Sequence, residues 1–377
     1  MQAVVANSIE AFGRDEWNAL FPGELEDWNY YRAVEQAQLD GFAWVYFGVR
    51  SNGALRAVVP AFLTDYRLDT TVSGSLRHAT DAAGRIFPHL MTQRMLSLGS
   101  PVTEACHLGF ATDATALEQR RLLGAILDKV EEYTNKNRVR MIAVKDAAAA
   151  QQDLWVGALR PRRLRRQPGL PTAFLDIRFA SVDEYLATLS AATRKDLRRK
   201  MRAAAALHVE WRRNIDDIRD DVMRLYEATY ARAELDFEKL TPGYFSGVLR
   251  EARMRASCVT YWLEQRLVAF NLVLHDGRRL LDKFLGMDYD FAREYNLYFV
   301  TWLENVRYCI AHGLSIYQSG QGLHREKLRL GSRLSANWLW YRHRNRVFDV
   351  ILSRIEKLAY LDRHDEKLAA LVGGARK

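Results

Sequence analysis

The sequence predicts a mixed α+β fold: two tandem units, each a mostly antiparallel sheet flanked by helices, and a C-terminal helical tail. Three observations predict it. Residues 256–331 alternate strand-like apolar runs with one amphipathic helix, and the first half repeats that order. The chain's 377 residues also exceed what one hydrophobic core organises, whereas two units of about 170 residues are ordinary. The units are assigned to residues 1–175 and 176–345 and the tail to 346–377. The boundary follows Pro161 and Pro168-Gly169 and lies near the Ser181-Val-Asp-Glu184 capping box.

In the first half, residues 43–49 and 55–62 flank Asn52-Gly53, the strongest short hairpin signal. A strand over 95–98 leads to a loop over 99–113. Thr115 and Glu118 then form a capping box, and Leu122, Ile126, Val130 and Tyr133 mark one helix face. Residues 138–144 close the unit as a strand. In the second half, 258–263 and 268–274 are rich in β-branched and aromatic residues and make a hairpin, and Asp276-Gly277 turns the chain into a third strand over 280–286. Asn296 is read as the cap of a helix carrying Leu297, Val300, Leu303, Val306 and Ile310, which Gly313 stops before a strand over 314–317. The tail has helical spacing at Val350, Ile351, Ile355, Leu358 and Leu361, suited to bracing the units or to an oligomer contact.

Met1 to Phe12 lacks the basic start of a signal peptide, and no apolar run reaches membrane-spanning length, so the expected location is cytoplasmic. Cys106, Cys258 and Cys309 are odd in number and far apart, which argues against a disulfide framework. The nine histidines form no pair at metal spacing, and no metal is expected. Charge is concentrated. Residues 160–213 hold 14 Lys and Arg against 5 Asp and Glu, an excess as large as the chain's whole +9. Arg194, Arg198 and Arg202 share one helix face, with Leu197 and Met201 turned inward. A solvated helix face would account for such a run, but arginine forks also seat phosphates. Coenzyme A, an aminoacyl-tRNA and a nucleotide-linked sugar acceptor all carry phosphates, and the residues leave these three open. DNA is not an expected partner, because Trp211 is the only aromatic between Arg194 and Arg213.

The order of elements, with Gly313 before a strand and Gly320-Gln-Gly322, Glu326-Lys327 and Gly331 after it, resembles the GNAT acyltransferase superfamily, above all its FemAB-like and CelD-like branches. Residues 326–331 resemble their lysine-plus-glycine signature, and residues 190–199 the basic helix that opens their second domain. The resemblance covers about half of the chain and implies paired GNAT units, of which the second is catalytic. It implies N-acyl transfer from an acyl-CoA thioester to an amine on a sugar- or amino-acid-derived acceptor. Transfer from aminoacyl-tRNA is the alternative, and a non-catalytic polysaccharide- or RNA-binding relative of the fold is a third. No tightly bound cofactor is implied. The superfamily's pyrophosphate loop would fall in residues 286–296, which lack its paired glycines; residues 99–109 lack them too.

Acyl transfer to an amine needs a base, donors for the developing oxyanion and a proton for the leaving group. Lys327 is the candidate oxyanion donor, Glu326 or His324 the candidate base, and Tyr317 a candidate proton source, with Gly320 and Gly322 supplying backbone donors. An ordinary post-strand turn would explain the glycines without chemistry. Asp282 and Asn271 interrupt apolar strands and, with Tyr289, are candidate substrate contacts in the second unit. His78 and Asp81, beside Arg85, are candidates in the first. Arg194, Arg198 and Arg202 are the candidate donor-binding residues.

Overall fold

The computed structural model describes residues 1–67, 92–233, 237–350 and 352. The first half supplies β1 (Gln2–Ala6), β2 (Phe42–Ser51), β3 (Ala54–Arg67), β4 (Thr92–Leu98), β5 (Gly109–Phe110), β6 (Met141–Ala148) and β7 (Arg165–Pro168). The second supplies β8 (Thr172–Asp176), β9 (Leu207–Arg212), β10 (Ala256–Leu263), β11 (Arg266–His275), β12 (Arg279–Met287), β13 (Ile316–Gly320), β14 (Arg333–Ser335) and β15 (Asn337–His343). They build two sheets of like design, ordered β1-β2-β3-β4-β6-β15-β7, with β5 beside β3, and β9-β10-β11-β12-β13-β8-β14. The hairpins β2–β3 and β10–β11 hold equivalent places, and each sheet has one parallel pair, β4–β6 and β12–β13.

The first sheet takes its sixth strand from the far end of the chain, and the second takes its sixth from the segment that joins the halves. β15, which follows every other strand, lies between β6 and β7 in the first sheet, while β8 lies between β13 and β14 in the second. The expected division at 175 and 345 therefore does not follow the sheets: residues 172–176 pair in the second and 337–343 in the first. Trp338, Trp340 and Tyr341 of β15 are all buried, without the alternation that would have marked the strand in the sequence.

The helix Ala116–Lys136 begins at Thr115, whose hydroxyl accepts from the Glu118 amide at 3.2 Å, and buries Leu122, Ile126 and Val130 against the first sheet. Its counterpart, Leu297–Ala311, buries Leu297, Leu303 and Val306 against the second. Asn296 does not cap it. That residue is left-handed (φ 53°) and its side-chain amide donates to the Glu294 carbonyl, because the chain reverses there and turns the side chain away from the helix. The loop expected over 320–331 contains a short helix, His324–Arg329. Among the described residues no helix is long and apolar enough to cross a membrane. All three cysteines are buried thiols. Beyond Val350 only Leu352 of the helical tail is described, so the oligomer contact expected there lies outside the described residues, as do His78, Asp81 and Arg85.

Candidate active site between two diverging strands

β12 and β13 pair only over Arg279–Leu281 and Ile316–Gln318, after which they separate. At that point β12 carries a bulge: Leu272 faces Phe284 and Val273 faces Asp282, leaving Lys283 as the extra residue. A bulge re-aims side chains, and here Asp282 and Lys283 turn to opposite sides of the opening. The first sheet's parallel pair also ends, at Leu98 and Val144, but its opening is filled. Residues 99–108 fold back into it, with the Gly99 amide on the Pro60 carbonyl (2.8 Å), the Cys106 amide on the Asp146 carbonyl (2.9 Å) and Lys145 Nζ on the Thr103 carbonyl (2.8 Å). That same loop reaches across to the second opening.

Asp282 anchors one wall. Its carboxylate accepts from Asn271 Nδ2 at 2.6 Å and from the Tyr317 hydroxyl at 3.0 Å, and Asn305 Nδ2 donates to Asn271 Oδ1 (2.8 Å) and to the Tyr317 oxygen (3.0 Å). Burial pushes the Asp282 carboxyl up, against the pull of Asn271, Lys327 and Tyr317. The Tyr298 hydroxyl is buried beside this network with no hydrogen-bond partner.

On the other wall, the buried Lys283 ammonium pairs with Glu26 and donates to the Val102 carbonyl at 2.7 Å. Glu26 and Glu24 flank His107, at 3.5 and 3.8 Å, and Arg279 binds Glu24 at 2.8 Å. Burial favours a neutral Glu24, but His107 and Arg279 outweigh it and hold the carboxyl at about 2. The sequence showed no metal spacing, yet Glu24, Glu26 and His107 each place a ligand atom within 4.8 Å of the others. The cations in contact with them here are Lys283 and Arg279.

Lys327 closes the opening from below. Its side chain is buried and donates to the Ser319 carbonyl, and burial lowers its pKa although Asp282 and Glu104 both favour the ammonium. Gly320 is left-handed (φ 87°), and a Cβ there would lie 2.9 Å from Glu104 Oε1 and 3.5 Å from Lys327 Nζ. Only glycine serves at that point. Glu104, which sequence reasoning missed, comes from the loop that fills the first sheet. Gln318 donates to its Oε2 at 2.8 Å, and the amides of Gln321 and Asn337 bond its main-chain oxygen at 3.3 and 3.2 Å. Burial pushes its carboxyl up to about 7, with Lys283 and Gln318 pulling back.

The structure thus brings together Lys327, Asp282, Asn271, Tyr317 and Gly320. The other candidates stand apart from that group. His324 bonds the Pro171 carbonyl at 2.8 Å, Glu326 pairs with Arg329 at 3.0 Å, and Gly322 is exposed with open space about it. Tyr289, just beyond β12, lies under the Arg232 guanidinium at 4.1 Å. On the helix Ala191–Ala203, Arg194 donates to the Ala187 carbonyl, Arg198 lies 3.9 Å from Asp183, and Arg202 is exposed. The run at 160–166 is largely structural: Arg162 pairs with Asp128, Arg165 with Asp349, and Arg166 covers Trp338.

A sequence profile of the FemAB-like family, described as peptidoglycan biosynthesis/recognition, matches residues 8–371. The chain belongs to the FemAB-like family. That membership makes it an enzyme of the acyl- and aminoacyl-transferring class, built as two GNAT-like units in tandem. No curated protein sequence matches this FemAB-like chain. Among solved structures it is similar to FemX, with 13% identity over 93% of this chain and 100% of that one and a TM-score of 0.59. It is also similar to L-PGS from Bacillus licheniformis (11% identity, 93% and 95% covered, TM-score 0.53). A tandem GNAT protein from the clavulanic acid biosynthesis pathway is comparable (12%, 91% and 98%, 0.53). At these identities the likeness of this FemAB-like chain to them is one of fold.

Proposed function

We propose that this enzyme transfers an aminoacyl group from aminoacyl-tRNA to an amine on a cell-wall precursor, within the opening between β12 and β13. The observation that carries the reading is the buried Lys327 ammonium at the floor of that opening, facing Asp282 and Glu104. An ammonium in a site of low dielectric stabilises the oxyanion of a tetrahedral intermediate and can protonate the leaving oxygen. The family's description, peptidoglycan biosynthesis/recognition, supports the acceptor class.

The start of the helix Leu297–Ala311 favours tRNA over acyl-CoA, which the sequence put first. Thioester donors of this superfamily need backbone amides bare enough to seat a pyrophosphate. Here the first turn carries Leu297, Tyr298 and Phe299, and the Phe299 ring is covered by Lys200 at 3.2 Å and Arg329 at 5.5 Å. Arg198 and Arg202 remain outward on the adjacent helix, suited to a polyanion's backbone.

Bulk tRNA charged with labelled amino acids, and labelled acetyl-CoA, test the donor side by side. Binding of charged tRNA should weaken with salt, and changing Arg194, Arg198 and Arg202 together to Gln should flatten the log–log slope by about 0.7 to 0.9 for each phosphate no longer bound. A parent protein that ignores tRNA at low salt but turns over acetyl-CoA reverses the assignment.

A further inference from the structure

The first unit's loop does more than fill its own sheet. Glu104 is held by three residues of the second half, Gln318, Gln321 and Asn337, yet its Oε1 has no hydrogen-bond donor among the described residues. That oxygen is aimed past Gly320, the glycine on which a Cβ would collide with it, toward the space that Lys327 also faces. The residue as a whole is half-buried, with its carboxyl enclosed by the groups around it. The charged groups around it are Lys283 on β12, Glu26 before the helix Trp28–Gln36, and Lys327 on His324–Arg329. Of the two bases that the sequence suggests, Glu326 is engaged by Arg329 and His324 by the Pro171 carbonyl.

We propose that Glu104 is the base that takes the proton from the acceptor's ammonium, so that the first unit completes the second unit's active site. The proposal rests on the transfer reading above. The acceptor gives one proton to the Glu104 carboxylate, and the freed amine attacks the ester carbonyl. A C–N bond forms and the bond from the carbonyl carbon to the donor's ribose oxygen breaks. The Lys327 ammonium gives its proton to that oxygen and regains one from the new amide nitrogen. Glu104 then releases its proton to solvent. A carboxyl raised by burial to about 7 exchanges protons with an amine near neutrality far better than an ordinary one. The base is the ionised form, so activity should rise with pH through about 7.

The test uses the full-length enzyme, whichever of charged tRNA or acetyl-CoA the parent accepts, and two acceptors: a short peptide with a lysine side-chain amine, and hydroxylamine, which is uncharged at neutral pH, with uncatalysed transfer subtracted. Glu104→Gln should lower kcat/KM with the lysyl peptide roughly a hundredfold, the range in which a general base is felt, and replace the limb that levels above about 7 with a rise that continues as the acceptor's own amine deprotonates. Transfer to hydroxylamine should survive within a few-fold. Glu104→Asp, which withdraws the carboxylate but keeps it, should retain the limb at a lower plateau, and it serves if the glutamine variant melts early. Equal losses with both acceptors, or an unchanged limb, overturn the base and leave the transfer reading standing. A parent that moves no acyl group from either donor overturns the transfer reading and the base together.

Discussion

At the scale of single residues, the candidate site is defined by ionisable groups buried together. Lys327 has no solvent to support its charge, only the Ser319 carbonyl and the carboxyls of Asp282 and Glu104 nearby. Lys327→Ala should therefore lower turnover by roughly a hundredfold or more, the cost of losing one oxyanion donor. It should also lower the melting temperature, because the carboxyls lose their cation. Lys327→Arg should rescue the melt better than the rate, since a planar fork places its donors differently from a compact ammonium. Paired kinetics and thermal melts check this; full activity in the alanine variant would return Lys327 to a structural role. Asp282 and Asn271 were legible in the sequence because polar residues interrupting apolar strands must have a reason, and Lys327 because residues 326–331 resemble the family's lysine-plus-glycine signature. Glu104 was not, since a lone carboxylate in a loop carries no periodicity and no local motif. The weak signal was that its loop ran long between a strand and a capped helix.

At the scale of elements, the central hairpins and their turns were legible, whereas the edge strands and the crossing strand β15 were not. Asn52 and Gly53 both adopt positive φ, 51° and 83°, as a two-residue hairpin of that type requires, and the hairpin follows. The exchange that places β15 in the first sheet has no local signature, because pairing across about 170 to 200 residues is decided by which edge is open when the strand arrives. Asn337, the first residue of β15, shows how tightly the exchange is coupled to the site. Its buried amide donates to the carbonyls of Glu104 and Leu170 and to the Thr172 hydroxyl, at 3.2, 3.1 and 2.9 Å. Asn337→Ala strands acceptors away from water and should cost about 2 to 4 kcal/mol in urea unfolding. If the link to Glu104 is real, its residual activity should fall at temperatures where the protein is still folded.

At the scale of the whole molecule, two similar units have diverged into a donor of parts and a user of them. The first opening is closed by its own loop, and that loop supplies the second opening with Glu104, with the Val102 carbonyl that holds Lys283, and with His107 between Glu24 and Glu26. The second half returns β15, without which β6 would have an unpaired edge and β7 no partner in the first sheet, while β8, at the start of the second half, completes the second sheet. The first sheet is incomplete without the last strand of the chain, whereas residues 170–377 hold every strand of the second. Residues 1–169 made alone should therefore not give a soluble, cooperatively melting protein, since β6 keeps an apolar edge that pairs with whatever it meets, whereas residues 170–377 lose only the partners of β15. Co-expressed, the two fragments should associate and recover a folded core, because β15 can still find its place between β6 and β7. The intact chain should unfold in one transition by calorimetry, with the calorimetric and van't Hoff enthalpies equal. Two separated transitions, or a first half that folds by itself, would mean that β15 adds little to the first sheet and that the site's dependence on both halves is looser than the shared strands imply.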